Sequence, residues 1–404
     1  MPSTPPEGEA APADGSLPRS ALAGAEERGL SLYVHVPYCT SRCGYCDFNT
    51  YTAAELGAAP GASQEAYLAA VEAELDLARA VLGADPRPVQ SVFFGGGTPT
   101  LLPAGELAGL LGAIRRRFPL APAAEVTTEA NPESVDRRYL DTLVAAGFTR
   151  LSLGMQSSRP GVLAVLDRRH TPGRVGAVVD AARAAGFGSV SLDLIYGSPT
   201  ETLEDWRASL EAALALAPDH VSAYSLIVEP GTRLAARIAR GELPGTDDDL
   251  HADCYLLAEE LLTARGFAAY EVSNWARPGQ ECRHNLAYWV GDDWWGAGPG
   301  AHSHVGGVRW WNVRHPRDYT ARLAAGTSPA QAREVLTPEQ RRVERVLLEL
   351  RLAQGLPLDV LSASERARVP ALAGDGTVDV ADGRLRPTLA GRLLADAVIR
   401  DLLD

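Results

Sequence analysis

Three of the five cysteines in this chain, Cys39, Cys43 and Cys46, fall in one short segment, CTSRCGYC. Their C-x3-C-x2-C spacing lets one loop present three thiolates to three irons of a [4Fe–4S] cube, leaving the fourth iron open to an outside ligand. Two other readings compete. Free cysteines are common core residues, yet Arg42, Gly44 and Asp47 make this loop a poor core segment. Structural zinc takes four protein ligands, and no fourth stands at a usual spacing. An odd cysteine count with such clustering is also a poor disulfide framework.

Such a loop needs a scaffold. From Ser31 to about Leu226 short apolar runs alternate with helical patterns. LYVHV, SVFF, EVTTEA, RLSLG, VSLDLI and HVSAYSL are β-branched or aromatic and read as strands. Between them lie QEAYLAAVEAELDLARAVL, AGELAGLLGAIRRRF, RRYLDTLVAAG, TPGRVGAVVDAARAAG and TLEDWRASLEAALALA. The first of these places Tyr67, Leu68, Val71, Leu75, Ala78 and Leu82 on one face, and Gly147 and Gly186 stand where a helix stops before the next strand. Six β–α units in series predict a parallel sheet with helices outside; pattern alone leaves open a barrel-like curve or a flat doubly wound sheet. Either way chemistry gathers at the C-terminal strand ends. There CTSRCGYC follows the first strand, GGGTPT the second, Glu129 and Asn131 end the third, Gln156 follows the fourth and Asp193 ends the fifth.

Composition narrows the class. With 46% apolar and 22% charged residues in 404, the chain reads as an ordinary globular protein. Its net charge of −13 argues against nucleic acid as the main partner. No stretch approaches the roughly 20 apolar residues that cross a bilayer. MPSTPPEGEAAPADGS lacks a basic start and an apolar run, so it is not read as a secretory signal, and a cytoplasmic location is expected. Residues 1–29 read as a disordered tail.

YVHVPYCTSRCGYCDF, from Tyr33 to Phe48, resembles the radical S-adenosylmethionine superfamily, and within it the branch of oxygen-independent coproporphyrinogen oxidase and the HemW-type haem chaperones. The resemblance spans nearly the whole chain beyond the tail. It implies a partial (β/α)6 barrel over 30–265, whose open iron binds the amino and carboxylate groups of S-adenosylmethionine. It further implies that Tyr33, Tyr45, Gly96, Gly97, Thr98, Glu129, Gln156, Arg168 and Asp193 contact one or two S-adenosylmethionine molecules. A flavodoxin or ferredoxin would serve as electron donor. Read singly, Glu129 and Asp193 are as well explained as capping or surface acids, Arg168 as a solvated charge and GGGTPT as a plain turn.

Within the branch, oxidases carry a fourth cysteine two residues after the third; here that position is Phe48, which weakens the oxidase reading. CRHNLAYW (Cys282 to Trp289) contains His284, Asn285, Tyr288 and Trp289 as HNxxYW, similar to the haem-binding motif of the chaperones. An imidazole suits haem iron, and two aromatic rings suit a macrocycle. A capped loop with a core aromatic pair is the alternative. The C-x-H spacing of Cys282 and His284 differs from the C-x-x-C-H attachment pattern, so covalent attachment is not expected. His302 and His304 read as polar residues of a Gly-rich loop, Cys254 as core, and Trp294, Trp295, Trp310 and Trp311 as domain packing.

These readings divide the chain into the tail, the barrel, a Trp/Gly/His-rich connecting segment (266–335) and a small α+β winged-helix-like domain (336–404). The expected function is a haem chaperone that passes haem to an acceptor protein. Radical chemistry on a porphyrinogen is the enzymatic alternative. A redox-sensing regulator is a third, which the acidic balance disfavours.

Overall fold

Every expected barrel strand overlaps an observed one. In the computed structural model, which describes residues 7–403 except 58–60, 84, 169, 170 and 172, Leu30–Val36, Val89–Gly96, Leu120–Ala130, Arg150–Gln156, Ser189–Tyr196 and His220–Ser225 are strands. They are neighbours in that order, and every pair is parallel. Helices Gln64–Leu82, Ala104–Arg117, Arg137–Ala146, Arg174–Ala185 and Leu203–Ala215 connect them. Gly147 and Gly186 end two of these helices with φ of 100° and 101°, a conformation that only glycine adopts without steric cost.

The apolar stripe of Gln64–Leu82 is buried as its periodicity predicts, except that Leu68 is only half buried and Glu74 goes fully inside. Glu74 is tolerated there because Gly298 N–H, Asn312 Nδ2 and Tyr319 O–H all donate to it, at 2.8, 2.7 and 2.5 Å.

Two expectations are corrected. Residues 1–6 of the expected tail lie outside the described residues, but the part from Glu9 onward is built into the fold. Glu9–Ala10 pairs with Ala330–Val335, and the Glu9 carboxylate lies 2.7 Å from Arg333. Ala21 is buried and Ala11 and Leu17 pack against the main core, so a sequence poor in large apolar groups still covers an otherwise open sheet edge.

Nor is 266–335 a connector. Its strand Asp293–Ala297 lies parallel beside Leu30–Val36, and His302–Val305, Val308–Asn312 and Ala330–Val335 continue the sheet antiparallel. Asn274–Ala276 and Ala268–Ala269 extend the opposite edge, giving a 13-stranded sheet among the described residues. The tryptophans are the reason: Trp295 and Trp310 are buried with ring centroids 4.8 Å apart, so this segment carries core of its own.

The C-terminal unit has a separate core around Val346, Leu356, Leu372, Leu385 and Ile399. Its helices Pro338–Glu349 and Ala363–Gly374 precede the antiparallel strands Val378–Ala381 and Arg384–Pro387. Asp382 and Gly383 turn that hairpin with positive φ, as the Asp-Gly pair predicts. Among the described residues no helix is long and apolar enough to cross a membrane.

Candidate functional site

The cysteine loop leaves the C-terminal end of Leu30–Val36 and is fixed at both ends by backbone bonds. Cys39 N–H donates to Tyr51 C=O at 3.0 Å, and Gly44 N–H to Leu166 C=O at 3.0 Å. Cys39, Cys43 and Cys46 are all free and partly exposed. Burial pushes the Cys46 thiol up to about 11 and Cys39 in the same direction, with the neighbouring sulfurs adding to both. Thiols that resist ionisation, as those of Cys39 and Cys46 do, need a cation to make them thiolates. Arg168 Nη1 lies 3.6 Å from Cys43 Sγ, and its Nε is buried without a partner, as is Thr50 Oγ1. Buried donors left open beside sulfur fit an anionic group that is part of a larger ligand. Among the described residues no three His, Cys, Asp or Glu side chains close on one ion position.

Above the sheet the GGGT turn meets this loop. A Cβ on Gly97 would stand 2.4 Å from Tyr38 O and 3.1 Å from Cys39 Sγ, and one on Gly96, whose φ is 111°, 2.6 Å from the His35 ring. Glycine here is dictated by close approach. Thr98 Oγ1 sits 3.9 Å from Cys39 Sγ, and Tyr45 packs against the small apolar cluster of Val162, Leu166, Ile195, Leu226 and Leu234.

Side chains alternate along strands, so Tyr33, Glu129, Gln156 and Asp193 share the inner face of the curved sheet. Glu129 accepts from Gly96 N–H at 3.0 Å. Asp193 accepts from Ser152 at 2.8 Å and from Ser222 at 2.8 Å. Arg168 Nη2 donates to Gly154 C=O at 3.2 Å. Gln156 is held at φ 64°, a strained conformation for a residue with a side chain, which is how functional positions are often built. The nine expected cofactor residues are therefore gathered at the mouth and along the inner wall of the half-barrel.

Burial pushes Glu129 up to about 8, with Asp193 adding to the shift. The folded state thus retains a proton that the unfolded chain releases near 4.5, and stability from this site falls as pH rises from about 4.5 to 8. For the ligand-free protein, Glu129→Gln is expected to flatten this decline and to raise the melting temperature at pH 8 by several degrees. Melts recorded from pH 5 to 8.5 that are parallel for both proteins would refute the assignment.

The HNxxYW helix, Arg283–Trp289, enters the same lumen from the opposite, N-terminal end of the strands. His284 is buried. Its Nδ1 is hydrogen-bonded to Ser91 Oγ and its Nε2 to Tyr288 O–H, both at 2.8 Å. Burial lowers its pKa to about 3, so the ring is neutral. It stacks on Phe93 at 5.1 Å and lies 6.3 Å from the Tyr33 ring. The two constellations, far apart in sequence, therefore share one aromatic layer. Asn285 Nδ2 donates to Tyr270 Oη and to Glu271, while Trp289 remains half-buried.

Glu125 is the residue that sequence reading missed. Buried on the third strand, it accepts from the backbone N–H groups of Arg283 and His284 at 3.2 and 3.1 Å and from the Cys282 thiol at 3.5 Å. It faces Arg150 at 3.9 Å. Its only signal was an acid inside a strand buried on both faces. Burial pushes Cys282 up to about 12, which makes it a neutral thiol. His302 stacks on Trp311, His304 bonds Asp292 C=O through Nδ1, and Cys254 is core.

The Radical SAM superfamily model matches residues 33–213, and the HemN C-terminal domain model residues 336–394. A Mycobacterium tuberculosis protein named "Heme chaperone HemW" is 55% identical over 374 residues, 93% of this chain and 95% of that one. The Escherichia coli protein of the same name is 39% identical, covering 72% and 75%. The structure titled "Coproporphyrinogen III oxidase (HemN) from Escherichia coli is a Radical SAM enzyme" superposes with a TM-score of 0.79 at 27% identity, over 96% of this chain and 94% of the other.

Proposed function

This chain belongs to the HemW-type branch of the radical S-adenosylmethionine superfamily, and on that premise we propose that it is a haem chaperone that binds haem and passes it to an acceptor protein. The observation that carries the reading is near full-length similarity to a relative bearing that name. Phe48, 57% exposed where the oxidases of the branch carry a further cysteine, supports it.

In this reading Cys39, Cys43 and Cys46 hold a [4Fe–4S] cluster. Gly96, Gly97, Thr98, Glu129, Gln156, Arg168 and Asp193 would seat S-adenosylmethionine, with Tyr33 and Tyr45 flanking it. A cube gives each thiolate its own iron, so the three sulfurs need not converge on one ion position, and among the described residues no three such donors do. When bound, the cluster and S-adenosylmethionine supply one-electron chemistry at the open iron. The chain's own part is to offer Glu129 as an acceptor, to exclude water through the Tyr33–Phe93 layer, and to balance thiolate charge with Arg168.

Haem is cargo, and the HNxxYW helix is its proposed seat. Both ring nitrogens of His284 are engaged, so ligation of iron requires that Nε2 leave the Tyr288 hydroxyl or Nδ1 leave Ser91, and the helix-borne Tyr288 is the partner proposed to yield. Titration of the purified protein with haem tests this. A Soret shift is expected that His284→Ala weakens at least about tenfold, ~1.4 kcal/mol, and that Tyr288→Phe strengthens or leaves intact. A Soret response indifferent to His284→Ala removes His284 as the ligand, and no response at all removes the chaperone reading.

The structural likeness to a coproporphyrinogen oxidase favours one alternative, oxidative decarboxylation of a porphyrinogen. Formation of protoporphyrinogen under anaerobic, reducing conditions would select it.

A further inference from the structure

We propose that the face formed by Arg42, Arg233, Arg237 and Arg240 is the docking site of a small acidic one-electron carrier. The inference rests on reading Cys39, Cys43 and Cys46 as cluster ligands. First, placement supports it. Helix Arg233–Ala239 begins directly against the cysteine loop: Leu234 N–H donates to Gly44 C=O at 2.8 Å, and the Arg233 guanidinium donates to Arg42 C=O. Gly44 lies between Cys43 and Cys46, so a partner seated on this helix is separated from the sulfurs by one thickness of loop.

Charge supports it as well. The carboxylates facing these arginines are Asp167, 3.8 Å from Arg233, Glu55, 3.2 Å from Arg42, and Glu242, 2.5 Å from Arg240 and 3.7 Å from Arg237. Among the described residues four cations therefore meet three anions, on a chain with 38 basic and 51 acidic residues overall. Exposed pairs of this kind are weak, so a guanidinium held in one can exchange it for a partner's carboxylate. Arg233 and Arg240 are 63% and 58% exposed.

Shape agrees. Arg233, Arg237 and Arg240 border an open cleft of about 500 Å³ whose floor includes Ala164 and Ala236. Small side chains there allow another protein's surface to approach closely. Among the described residues the cleft lining holds no aromatic stacking platform of the kind nucleic acid would need. The step is a single electron transfer: the carrier's reduced cofactor loses one electron, the oxidised cluster gains it, and no atom moves.

The test uses reconstituted protein and a reduced flavodoxin as the acidic carrier, with reduction followed by stopped-flow absorbance at low salt. Arg237→Glu with Arg240→Glu avoids the contact that Arg233 makes with the loop. It is expected to slow reduction at least about tenfold, the lower range of electrostatic steering. Reduction by dithionite and iron content should stay unchanged. Binding of oxidised flavodoxin to the cluster-free protein, followed by fluorescence anisotropy, should weaken in parallel, and Arg240→Gln alone should give an intermediate loss. A wild-type rate indifferent to salt, or a charge-reversed variant that reduces and binds like wild type, overturns the proposal. Missing iron after reconstitution would instead defeat the cluster reading, and a failed haem titration the chaperone reading.

Discussion

Cys43→Ser is expected to leave a folded protein that retains no cluster, with iron falling from about four per chain to background after anaerobic reconstitution. Cys43 is the centre of the loop, and its sulfur lies 3.6 Å from the Arg168 guanidinium. A hydroxyl neither ionises there nor binds iron as a thiolate does. Gly97→Ala should approach the same result by another route, because its Cβ would stand 2.4 Å from the Tyr38 carbonyl, an atom of the backbone that carries Cys39. Cys254→Ser, in the core of the helix Asp248–Ala264, should leave iron content unchanged. Iron and sulfide analysis reads all three variants. Full iron retention by Cys43→Ser would remove the proposed ligand set.

Asp293→Ala is expected to cost about 3–5 kcal/mol of stability, the range for breaking a buried ion pair from one side. Asp293 is completely buried at the start of the strand that lies beside Leu30–Val36. Its carboxylate accepts from Arg87 Nη1 at 2.9 Å, Arg28 Nε at 3.0 Å and Gly306 N–H at 2.8 Å. Removing it leaves the buried Arg87 guanidinium with Asp85 and the Arg28 and Gly29 carbonyls but without its second carboxylate. Urea denaturation should show the midpoint drop, and Arg87→Met added to Asp293→Ala should recover part of it. A loss below about 1 kcal/mol would mean that water takes over the role of the carboxylate. The same network ties Ala21 and Ala23 to the sheet through Arg28, so the variant should also expose the N-terminal segment to proteolysis.

The parallel sheet and the gathering of Glu129, Gln156 and Asp193 at its C-terminal strand ends were legible in the chain, whereas the half-barrel and the place of Tyr33 came only from the resemblance. Short apolar runs mark the strands, and β–α alternation sets which strand end collects the loops. The three cysteines were legible for a different reason: their chemistry is local, carried by spacing within one loop. Cys254 as core and the Asp382–Gly383 hairpin follow from equally local rules.

What lies between distant segments was not legible. The chain from Glu9 onward looked disordered because it lacks large apolar groups, yet a sheet edge more than 300 residues away supplies its hydrogen bonds. The tryptophan-rich segment looked like a connector because its strands are short, and only pairing with the first barrel strand shows that it continues the sheet. His284 read as a haem ligand in sequence, and the fold places it inside, with both ring nitrogens engaged and Glu125 clamping its helix. Sequence by itself determined which atoms are available for chemistry and the periodic faces on which they lie. Tertiary structure alone decided which of them are free to act, because burial, long-range pairing and the partners of a polar atom depend on residues hundreds of positions away.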